Sequence, residues 1–377
     1  MKKVHITLVG GQPVPVYIGI KHDSQANTIV LVCSEQSQEE AQRIYEQFPK
    51  RERTIEFCSP VKLDEIEALA AKLSEKFADY EKTINLTSGT KLWSLGFFRA
   101  FHQQGNVKFI YVDQTNVITD IITKETFMLP IDTLKRFELY GTPITSFTPL
   151  DDYTSKDFEV MKKVRKLRNL NRSEFGKLTN DKDGDQLKGK EYRYQTDLGS
   201  FVEYTFDKGY IKVVIKNAKV TKIEKLQSEH AFEILFNSGW FELRTAQELS
   251  QNPNIKNIWL NCKFASSRNK PKNEIDIIAE LGNRLLFVEC KTMIFETTDI
   301  DKFRSALRNF SGTSTTGLFV THDKPSTRTR ERYDHAMEKC KDNNILTFNF
   351  ALWNELPTSM PSLKQLVNEQ ISQQNKR

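Results

Sequence analysis

Residues 273–291 read NEIDIIAELGNRLLFVECK, and this stretch decides how the second half of the chain is interpreted. Two runs rich in apolar residues flank Gly282-Asn283, which is a typical two-residue hairpin turn. The stretch therefore predicts two antiparallel strands. If Gly282 and Asn283 form the turn, Asp276 on the first strand lies directly opposite Glu289 on the second.

The facing carboxyl groups of Asp276 and Glu289 indicate a candidate metal-binding site. Cross-strand Cβ atoms lie about 4.5–5.5 Å apart, and two carboxylates that close repel each other unless a cation joins them. A hard divalent cation with oxygen ligands fits such a pair. In the same register, Glu274 lies opposite Lys291. Because side chains alternate along a strand, Glu289 and Lys291 share one face and Cys290 points to the other.

Lys291 adds a positive charge beside the two carboxyl groups. It can orient or activate a water molecule and stabilise the negative charge of a phosphoryl transition state. The alternative is an ordinary surface hairpin with a charged, wet face. Against that alternative, Leu285–Val288 is apolar on both faces, and buried carboxylates without a role are rare. The stretch favours a metal-dependent site for phosphate chemistry built from Asp276, Glu289 and Lys291.

The first part of the chain, residues 4–123, alternates between β-rich and helical segments. The β-rich segments are Val4–Val9, Ile29–Val32, Thr54–Phe57, Thr83–Leu86 and Val107–Val112. Helical apolar spacing occurs at Gln38–Gln47, Leu63–Ala78 and Lys91–Gln103. Such alternation predicts βαβ units, and hence a mostly parallel sheet with right-handed crossovers.

Two loops at the carboxyl ends of these strands are candidates for ligand binding. The segment Asn85–Lys91 reads NLTSGTK, follows a predicted strand and opens a predicted helix, where free N–H groups bind phosphate. Its glycine permits close backbone approach, and its lysine adds charge. Gly10-Gly11-Gln12 lies at the same sheet edge, where ligands bind in open α/β folds. The candidate binding residues are Gly11, Gln12, Asn85, Thr87, Ser88, Gly89, Thr90 and Lys91. A simple helix cap remains the alternative for this segment.

The middle of the chain differs in character from both ends. Gly141, Pro143 and Pro149 indicate a linker. A helix at Ser155–Leu170 carries a basic face, and a hairpin is expected between Phe201 and Ile215. A winged-helix-like insert is one interpretation, and a structural bridge with a solvated charged face is the other.

Bulk properties narrow the class of protein. The 377 residues predict two to three domains. The net charge of +6 is compatible with a polyanionic partner. No stretch approaches the roughly 20 apolar residues of a membrane span, so no membrane partner is expected. Five widely spaced cysteines without a C-x-x-C motif favour a reducing, cytoplasmic location and argue against a zinc cluster.

The hairpin pattern, Asp276 followed by Glu289-Cys290-Lys291, resembles the PD-(D/E)xK restriction-endonuclease-like fold. The resemblance implies that the Asp and Glu bind Mg²⁺ or Mn²⁺ and that the Lys supports the attacking water. It also implies a third carboxylate from a preceding helix, for which Glu242 in G239-W-F-E242 is the candidate and Glu233 the fallback. Ile275 stands where the family pattern has proline.

A Rossmann-like domain with an S/T-G-T-K turn, fused to such a nuclease domain, resembles the CRISPR-associated Rossmann-fold (CARF) nucleases of type III CRISPR defence. The fold expected is α/β throughout. A sensor domain would span residues 1–145, a small α+β connecting region residues 146–226, and a restriction-endonuclease-like domain residues 227–377. The resemblance implies a homodimer that binds a cyclic oligoadenylate, the cyclic tetra-adenylate above all, and then cleaves DNA, RNA or both, as single strands or nicked duplexes.

Two other functions fit parts of the sequence. One is a ligand-sensing transcription regulator with a winged-helix middle region and a degenerate nuclease domain, which the basic helix motivates. The other is a repair or restriction enzyme that senses an ordinary mononucleotide. The intact Asp276, Glu289 and Lys291 argue against the regulator.

Overall fold

The computed structural model describes residues 2–180, 184–265, 274–282, 284–293, 297–311, 315–357 and 360–374. The chain divides after Thr145 into two units, with short later segments assigned to the first unit. Each unit has its own sheets and its own core. None of the helices in the described part of the chain is long and apolar enough to cross a membrane.

The first unit is built on a seven-stranded sheet with strand order β3-β2-β1-β4-β5-β6-β7. The strands are β1 Lys3–Val9, β2 Thr28–Cys33, β3 Glu52–Phe57, β4 Glu81–Asn85, β5 Val107–Val112, β6 Val117–Asp120 and β7 Thr126–Met128. The first five are parallel, and β6 and β7 run antiparallel at one edge. The helices are α1 Pro13–His22, α2 Gln38–Glu46, α3 Leu63–Lys76, α4 Lys91–Phe101 and α5 Thr133–Leu139.

This sheet confirms the predicted alternation of strands and helices. The central strands are buried on both faces, as parallel sheets covered by crossover helices are. Sequence reasoning missed α1, because its prolines and β-branched residues do not read as helical. Pro13 occupies the first helical turn, where a missing N–H costs nothing.

The second unit contains two further sheets. A four-stranded antiparallel sheet has the order β12-β11-β10-β9, and a six-stranded sheet has the order β17-β16-β15-β14-β13-β8. Their strands are β8 Ile144–Pro149, β9 Tyr192–Gln195, β10 Phe201–Thr205, β11 Tyr210–Lys216, β12 Thr221–Leu226, β13 Ile255–Phe264, β14 Glu274–Leu281, β15 Arg284–Lys291, β16 Thr315–Thr321 and β17 Ile345–Asn349. The helices are α6 Ser155–Leu170, α7 Arg172–Thr179, α8 Gly184–Leu187, α9 Ala231–Leu235, α10 Gly239–Ser250, α11 Thr297–Ser311, α12 Arg330–Asp342, α13 Phe350–Glu355 and α14 Leu363–Gln374.

The expected connecting region does not form a separate core. Val164 on α6, Val213 on β11 and Phe232 on α9 belong to the same buried cluster as Leu286 and Val288 of the hairpin. The expected hairpin is present as β10 and β11, but two more strands complete a four-stranded sheet. One continuous core therefore joins residues 146–226 to the residues that follow them.

The register of β14 and β15 is the one that the turn predicted. Ile277 pairs with Val288, and Leu281 pairs with Arg284. Gly282 has a φ of 62°, as a tight hairpin turn requires. Asn283, its expected partner in the turn, lies outside the described residues.

Candidate active site and ligand-binding loops

Asp276 is fixed at the open end of the β14–β15 hairpin. The backbone N–H of Cys290 donates a hydrogen bond to its Oδ2 atom at 2.7 Å. On the neighbouring strand β15, Lys291 Nζ lies 2.9 Å from Glu289 Oε1 of the same strand. The three side chains proposed from sequence therefore lie together at one end of the hairpin.

Helix α10 supplies the additional carboxyl group. The chain enters α10 through Asn237 and Ser238, which both have left-handed backbone conformations with φ of 49° and 69°. Gly239 follows, and a Cβ atom there would lie 1.9 Å from the carbonyl oxygen of Glu233. Only glycine fits such a close backbone approach. This tight entry places Glu242 in the first turn of α10.

Glu242, Asp276 and Lys291 line one cavity of about 510 Å³, whereas Glu289, which pairs with Lys291, is not among its lining residues. Carboxyl-bearing residues from three elements line it: Glu233 from α9, Glu242 from α10, and Glu274 and Asp276 from β14. Lys291 and Thr292 at the end of β15 and Lys263 on β13 also line the cavity. The cavity therefore combines acidic groups suited to a cation with basic groups suited to phosphate.

Burial makes the carboxyl groups hard to ionise. It raises the pKa of Asp276 well above the ordinary value, and the charges of Glu289 and Glu242 raise it further. Burial, followed by Glu274 and Glu289, raises the pKa of Glu242 to about 8. The pKa of Glu289 is also raised by burial, although Lys291 opposes this. The carboxyl groups destabilise one another's charged forms, which is the electrostatic condition that a bound cation relieves.

The pKa of Lys291 is shifted so that its charged form is favoured, in contrast to the carboxyl groups. Burial alone would lower its pKa, but the charges of Glu289 and Asp276 outweigh burial and raise it. The ammonium group therefore stays protonated beside the carboxylates. It can donate to a negatively charged oxygen without first gaining a proton.

The donor set suits a hard divalent cation in its chemistry, since Glu242, Asp276 and Glu289 offer only oxygen. Among the described residues, however, no three His, Cys, Asp or Glu side chains converge into a ready metal cluster. The fit of these three carboxyl groups to a divalent cation therefore rests on their charge and their oxygen atoms.

Glu233, the fallback helix carboxylate, is committed to other partners. His230 Nδ1 lies 2.7 Å from its Oε2 atom, and Lys188 Nζ lies 3.6 Å from its Oε1 atom. Burial would raise the pKa of Glu233, but these two cations lower it overall. The geometry favours Glu242 over Glu233 for the site.

A buried ion-pair cluster behind the hairpin was not found from sequence. Arg168 on α6 makes a two-pronged contact with Asp323, which follows β16. His322 Nδ1 lies 2.8 Å from Asp323 Oδ1, and the Asp323 N–H donates to the Thr292 carbonyl at 2.9 Å. Burial opposes ionisation of Asp323, yet His322 and Arg168 lower its pKa overall.

The ion-pair cluster contacts both parts of the candidate site, the end of β15 and the start of α10. Thr292 directly follows Lys291, and the His322 ring packs edge-on against Trp240 and Phe241, which precede Glu242. One interpretation of the sequence expected a solvated charged face on this helix, but the side chain of Arg168 is buried and does not belong to such a face. No local signal could have revealed the pair, since Arg168 and Asp323 are far apart in sequence.

All five cysteines lie among the described residues and are buried free thiols. Cys290 belongs to the core of the second unit, opposite Glu289 and Lys291. Burial, with Asp276 and Glu242 nearby, raises the pKa of its thiol well above the ordinary value. Cys290 is therefore a core residue, as the alternation of the strand predicted.

In the first unit, the loop after β1 and the loop after β4 contact each other directly. The Gly10 N–H donates to Ser88 Oγ at 2.9 Å, and a Cβ atom at Gly10 would lie 2.7 Å from the Gly89 nitrogen. The structure thus brings Gly11 and Gln12 beside the Asn85–Lys91 segment. These two loops are called the sensor loops below.

The hydroxyl groups of the sensor loops hold the loops in place. Thr87 Oγ1 donates to Asn85 Oδ1 and accepts from the Val112 N–H at 2.7 Å. Thr90 Oγ1 donates to the Pro60 carbonyl at 2.9 Å and accepts from the Trp93 N–H. Thr87 and Thr90 are two of the candidate binding residues, and the structure gives both of their hydroxyls intramolecular partners.

The exposed part of the sensor loops consists of Gly11, Gln12, Gly89 and Lys91. Gly89 has a φ of 96°, and a Cβ atom there would lie 2.4 Å from the Trp93 ring. Any other residue at this position would strain the loop. Glycine therefore allows this turn to lie close against the Trp93 ring.

A small cleft of about 160 Å³ adjoins the sensor loops. Gln12 and Thr87 line it together with Tyr111, Arg136 and Tyr140, which sequence reasoning did not select. The Tyr140 hydroxyl donates to Gln12 Oε1 at 2.7 Å. These residues come from β5 and α5, and their place beside the loops depends on the tertiary fold alone.

Residues 4–134 match a family model described as the Card1 CARF domain. Can2 from Sulfobacillus thermosulfidooxidans, solved in complex with cyclic tetra-adenylate, superposes with a TM-score of 0.64 at 20% identity, over 93% of this chain and 97% of Can2. Protein VC1899 from Vibrio cholerae superposes with a TM-score of 0.69 at 13% identity, over 97% of this chain and 98% of VC1899.

A type III CRISPR defence DNA nuclease activated by cyclic oligoadenylate superposes with a TM-score of 0.53 at 15% identity. The match covers 97% of this chain and 53% of that nuclease, so this chain corresponds to about half of it. No curated protein matches the chain. The first unit is thus similar to the Card1 CARF domain, and the chain shares its fold with Can2 and VC1899.

Proposed function

We propose that the chain is a nuclease that depends on a divalent metal and is activated by a cyclic oligoadenylate in type III CRISPR defence. The observation that carries the nuclease proposal is the cavity where Glu242 and Asp276 face Lys291, with Glu289 paired to the lysine. The similarity of residues 4–134 to the Card1 CARF domain supports the sensing part. The fold shared with Can2, solved with cyclic tetra-adenylate, favours that ring as activator.

Each residue of the cavity has a distinct task in this proposal. Asp276, Glu289 and Glu242 would hold Mn²⁺ or Mg²⁺, which supplies Lewis-acid stabilisation and an activated water when bound. The Cys290 N–H fixes the orientation of the Asp276 carboxylate. Lys291 keeps its proton and donates to the negatively charged oxygens of the phosphate in the transition state.

The sensor loops would take the activator. Backbone N–H groups at the start of α4 and the exposed Lys91 suit phosphate groups. The adjoining cleft lined by Tyr111 and Arg136 suits a base or ribose. A ring with repeated nucleotides would contact two copies of the first unit, and we therefore propose a homodimer.

The decisive experiment measures cleavage of labelled single-stranded DNA and RNA. The protein is incubated with Mn²⁺, Mg²⁺ or EDTA, and with cyclic oligoadenylates of different ring size. Cleavage is expected with a divalent metal and one cyclic oligoadenylate, and it should disappear in EDTA. Metal-independent cleavage, or no cleavage under any of these conditions, would contradict the proposal.

The transcription-regulator alternative rested on the basic helix α6. Arg168 from that helix is buried against Asp323, and α6 shares its core with the β14–β15 hairpin. Arg168 is therefore not available to contact DNA, whereas Lys156, Lys162 and Lys166 of the same helix are exposed. EDTA separates the two functions, since binding by a regulator survives chelation and cleavage does not.

A further inference from the structure

The sheet β9–β12 has one face that packs into the core and one that does not. Val202, Ile211 and Val213 point to the first face and belong to the buried cluster of the second unit. The register pairs Glu203 with both Arg193 and Lys212, so these three side chains share the second face. We call this second face the outer sheet face.

Positive charge dominates the outer sheet face. Its pairings place Arg193, Lys212, Lys216 and Lys225 there against a single acid, Glu203. Glu203 pairs with Arg193 at 3.3 Å and with Lys208 of the adjoining turn at 3.8 Å. Among the described residues, no carboxylate lies within ion-pair distance of the other three lysines. The face therefore carries positive charge that the protein itself does not neutralise.

Aromatic rings lie among these cations. The Arg193 guanidinium lies 4.3 Å from the centre of the Phe201 ring, and Lys212 Nζ lies 5.3 Å from it. Lys225 Nζ lies 4.7 Å from the centre of the Tyr210 ring. Cation–π contacts of this kind keep the charged groups close to the sheet.

The rim of the same sheet exposes apolar side chains. Ile223 on β12 is 58% exposed, Phe206 in the β10–β11 turn is 58% exposed and Leu198 in the β9–β10 turn is 62% exposed. Isolated exposed apolar residues are common, but here they surround one basic, aromatic face. Such a combination of charge and flat apolar surface is typical of single-stranded nucleic-acid binding.

We propose that the outer sheet face binds single-stranded nucleic acid as a site separate from the cleavage cavity. Lys212, Lys216 and Lys225 would contact phosphates, and the rings of Phe201 and Tyr210 would contact bases. The choice of partner rests on the proposed nuclease function, for which nucleic acid is the substrate. A second copy of the chain is a poorer occupant, because a two-fold interface would set this basic face against itself.

The test measures binding without cleavage. The full chain carrying Asp276→Asn is titrated in EDTA, without activator, against fluorescent single-stranded DNA and RNA over a range of salt concentrations. Lys212→Glu with Lys225→Glu is compared with Lys50→Glu and Lys364→Glu, two exposed lysines outside this sheet that give the same net charge.

The outer-face variant should bind at least tenfold more weakly than the control at low salt. Each lost phosphate contact should lower the log–log salt slope by about 0.7 for a single strand, so the pair should lower it by about 1.4. Glu203→Gln should strengthen binding, and misfolding cannot produce such a gain in affinity.

Equal affinities in the outer-face variant and the control would overturn the proposal. So would a change in self-association by sedimentation without a change in nucleic-acid affinity. Because the assay needs neither metal nor activator, it succeeds or fails independently of whether the chain cleaves. Cleavage by the wild type with unchanged binding of the outer-face variant would refute only this inference.

Discussion

The hairpin cavity and the sensor loops are both polar clusters, yet they are built in opposite ways. Around the cavity, Glu242, Asp276 and Glu289 all have raised pKa values, because burial and mutual repulsion disfavour their charges. In the sensor loops, Thr87 and Ser88 satisfy their hydroxyls within the protein. The cavity is electrostatically strained, whereas the sensor loops are internally satisfied.

This difference indicates which atoms of each site would contact a ligand. Under the proposed function, the side chains of the cavity would themselves be the functional groups, and a bound cation would relieve their mutual repulsion. In the sensor loops, side chains set the backbone shape, and the exposed Lys91 would contact the ligand. Substitutions should therefore separate function from stability in the cavity, and couple them at the residues that set the shape of the loops.

The largest effect is expected for Asp276→Asn. Loss of one metal-binding carboxylate should lower cleavage by about a thousandfold or more, since metal ions contribute several kcal/mol to such transition states. Stability should not fall. An acid whose pKa is raised destabilises the fold where it is ionised, and an amide oxygen can still accept the Cys290 N–H. Thermal unfolding in EDTA and cleavage in Mn²⁺ measure the two effects.

A drop in the melting temperature of Asp276→Asn would contradict the idea that the cavity is strained. Glu280→Gln serves as a control on the same strand. Glu280 lies near the turn end of β14, outside the residues that line the cavity, and its Oε2 atom accepts from Asn257 Nδ2 at 2.8 Å, so neither cleavage nor stability should change much.

The next largest effect concerns the buried ion pair behind the cavity. Asp323→Ala should leave Arg168 buried and unpaired, and the free energy of unfolding of the second unit should fall by about 3–5 kcal/mol. Asp334→Ala is the matched control, because Asp334 pairs with Arg330 on the surface at 3.0 Å. An exposed pair of this kind contributes about 0–1 kcal/mol. Chemical denaturation at neutral pH compares the variants.

The stabilisation by Asp323 should depend on pH with a defined sign. Its pKa is lowered in the folded protein, so its contribution is complete above the unfolded-state pKa of about 4 and is lost as the pH falls further. The gap between wild type and Asp323→Asn should therefore close in acid. A gap that stays constant from pH 7 to pH 3 would argue against the ion pair.

The structural features that were predicted from the sequence are those that depend on residues close together in the chain. The hairpin register followed from Gly282 and its flanking apolar runs, and Ile277 pairs with Val288 as expected. The alternating segments of the first unit gave its parallel sheet. Glu242 was selected by a family resemblance, and the structure then placed it on the same cavity as Asp276.

What could not be predicted depends on contacts between distant segments. Asp323 meets Arg168 only because α6 and the end of β16 pack side by side. Tyr140 reaches Gln12 through the position of α5. The Thr87 hydroxyl also accepts from the Val112 N–H and the Thr90 hydroxyl donates to the Pro60 carbonyl, and these two partners come from other segments of the chain.

Gly89→Ala should have a moderate effect on the first unit. Its φ of 96° and the 2.4 Å approach to the Trp93 ring make any Cβ atom unfavourable. Stability should fall by about 1–3 kcal/mol, and activator affinity should fall with it. Gly11→Ala is the control, since a Cβ atom there meets nothing within 4 Å. Equal melting temperatures for the two variants would show that the turn is not constrained.

The smallest effect is expected for Lys91→Ala, and it separates the two classes of residue within the sensor loops. Lys91 is exposed at the first position of α4, so its loss should leave the melting temperature unchanged. Activator affinity should fall about tenfold, because a charge-assisted contact to phosphate is lost. Lys50→Ala, at an exposed lysine just before β3 and hence at the opposite edge of the sheet, should change neither quantity.

Ser88→Ala completes the contrast with Lys91→Ala. Ser88 is buried and accepts the Gly10 N–H, so its loss should leave that donor without its partner and lower stability by about 1–3 kcal/mol. Any loss of affinity should follow from this loosening of the loops. Since a ligand shifts an equilibrium only through its differential affinity, cleavage by Lys91→Ala should recover at high activator concentration. Titration of cleavage against activator, alongside thermal unfolding, measures both variants. If Lys91→Ala lost stability and Ser88→Ala did not, the division between shape-setting side chains and exposed ligand contacts would be wrong.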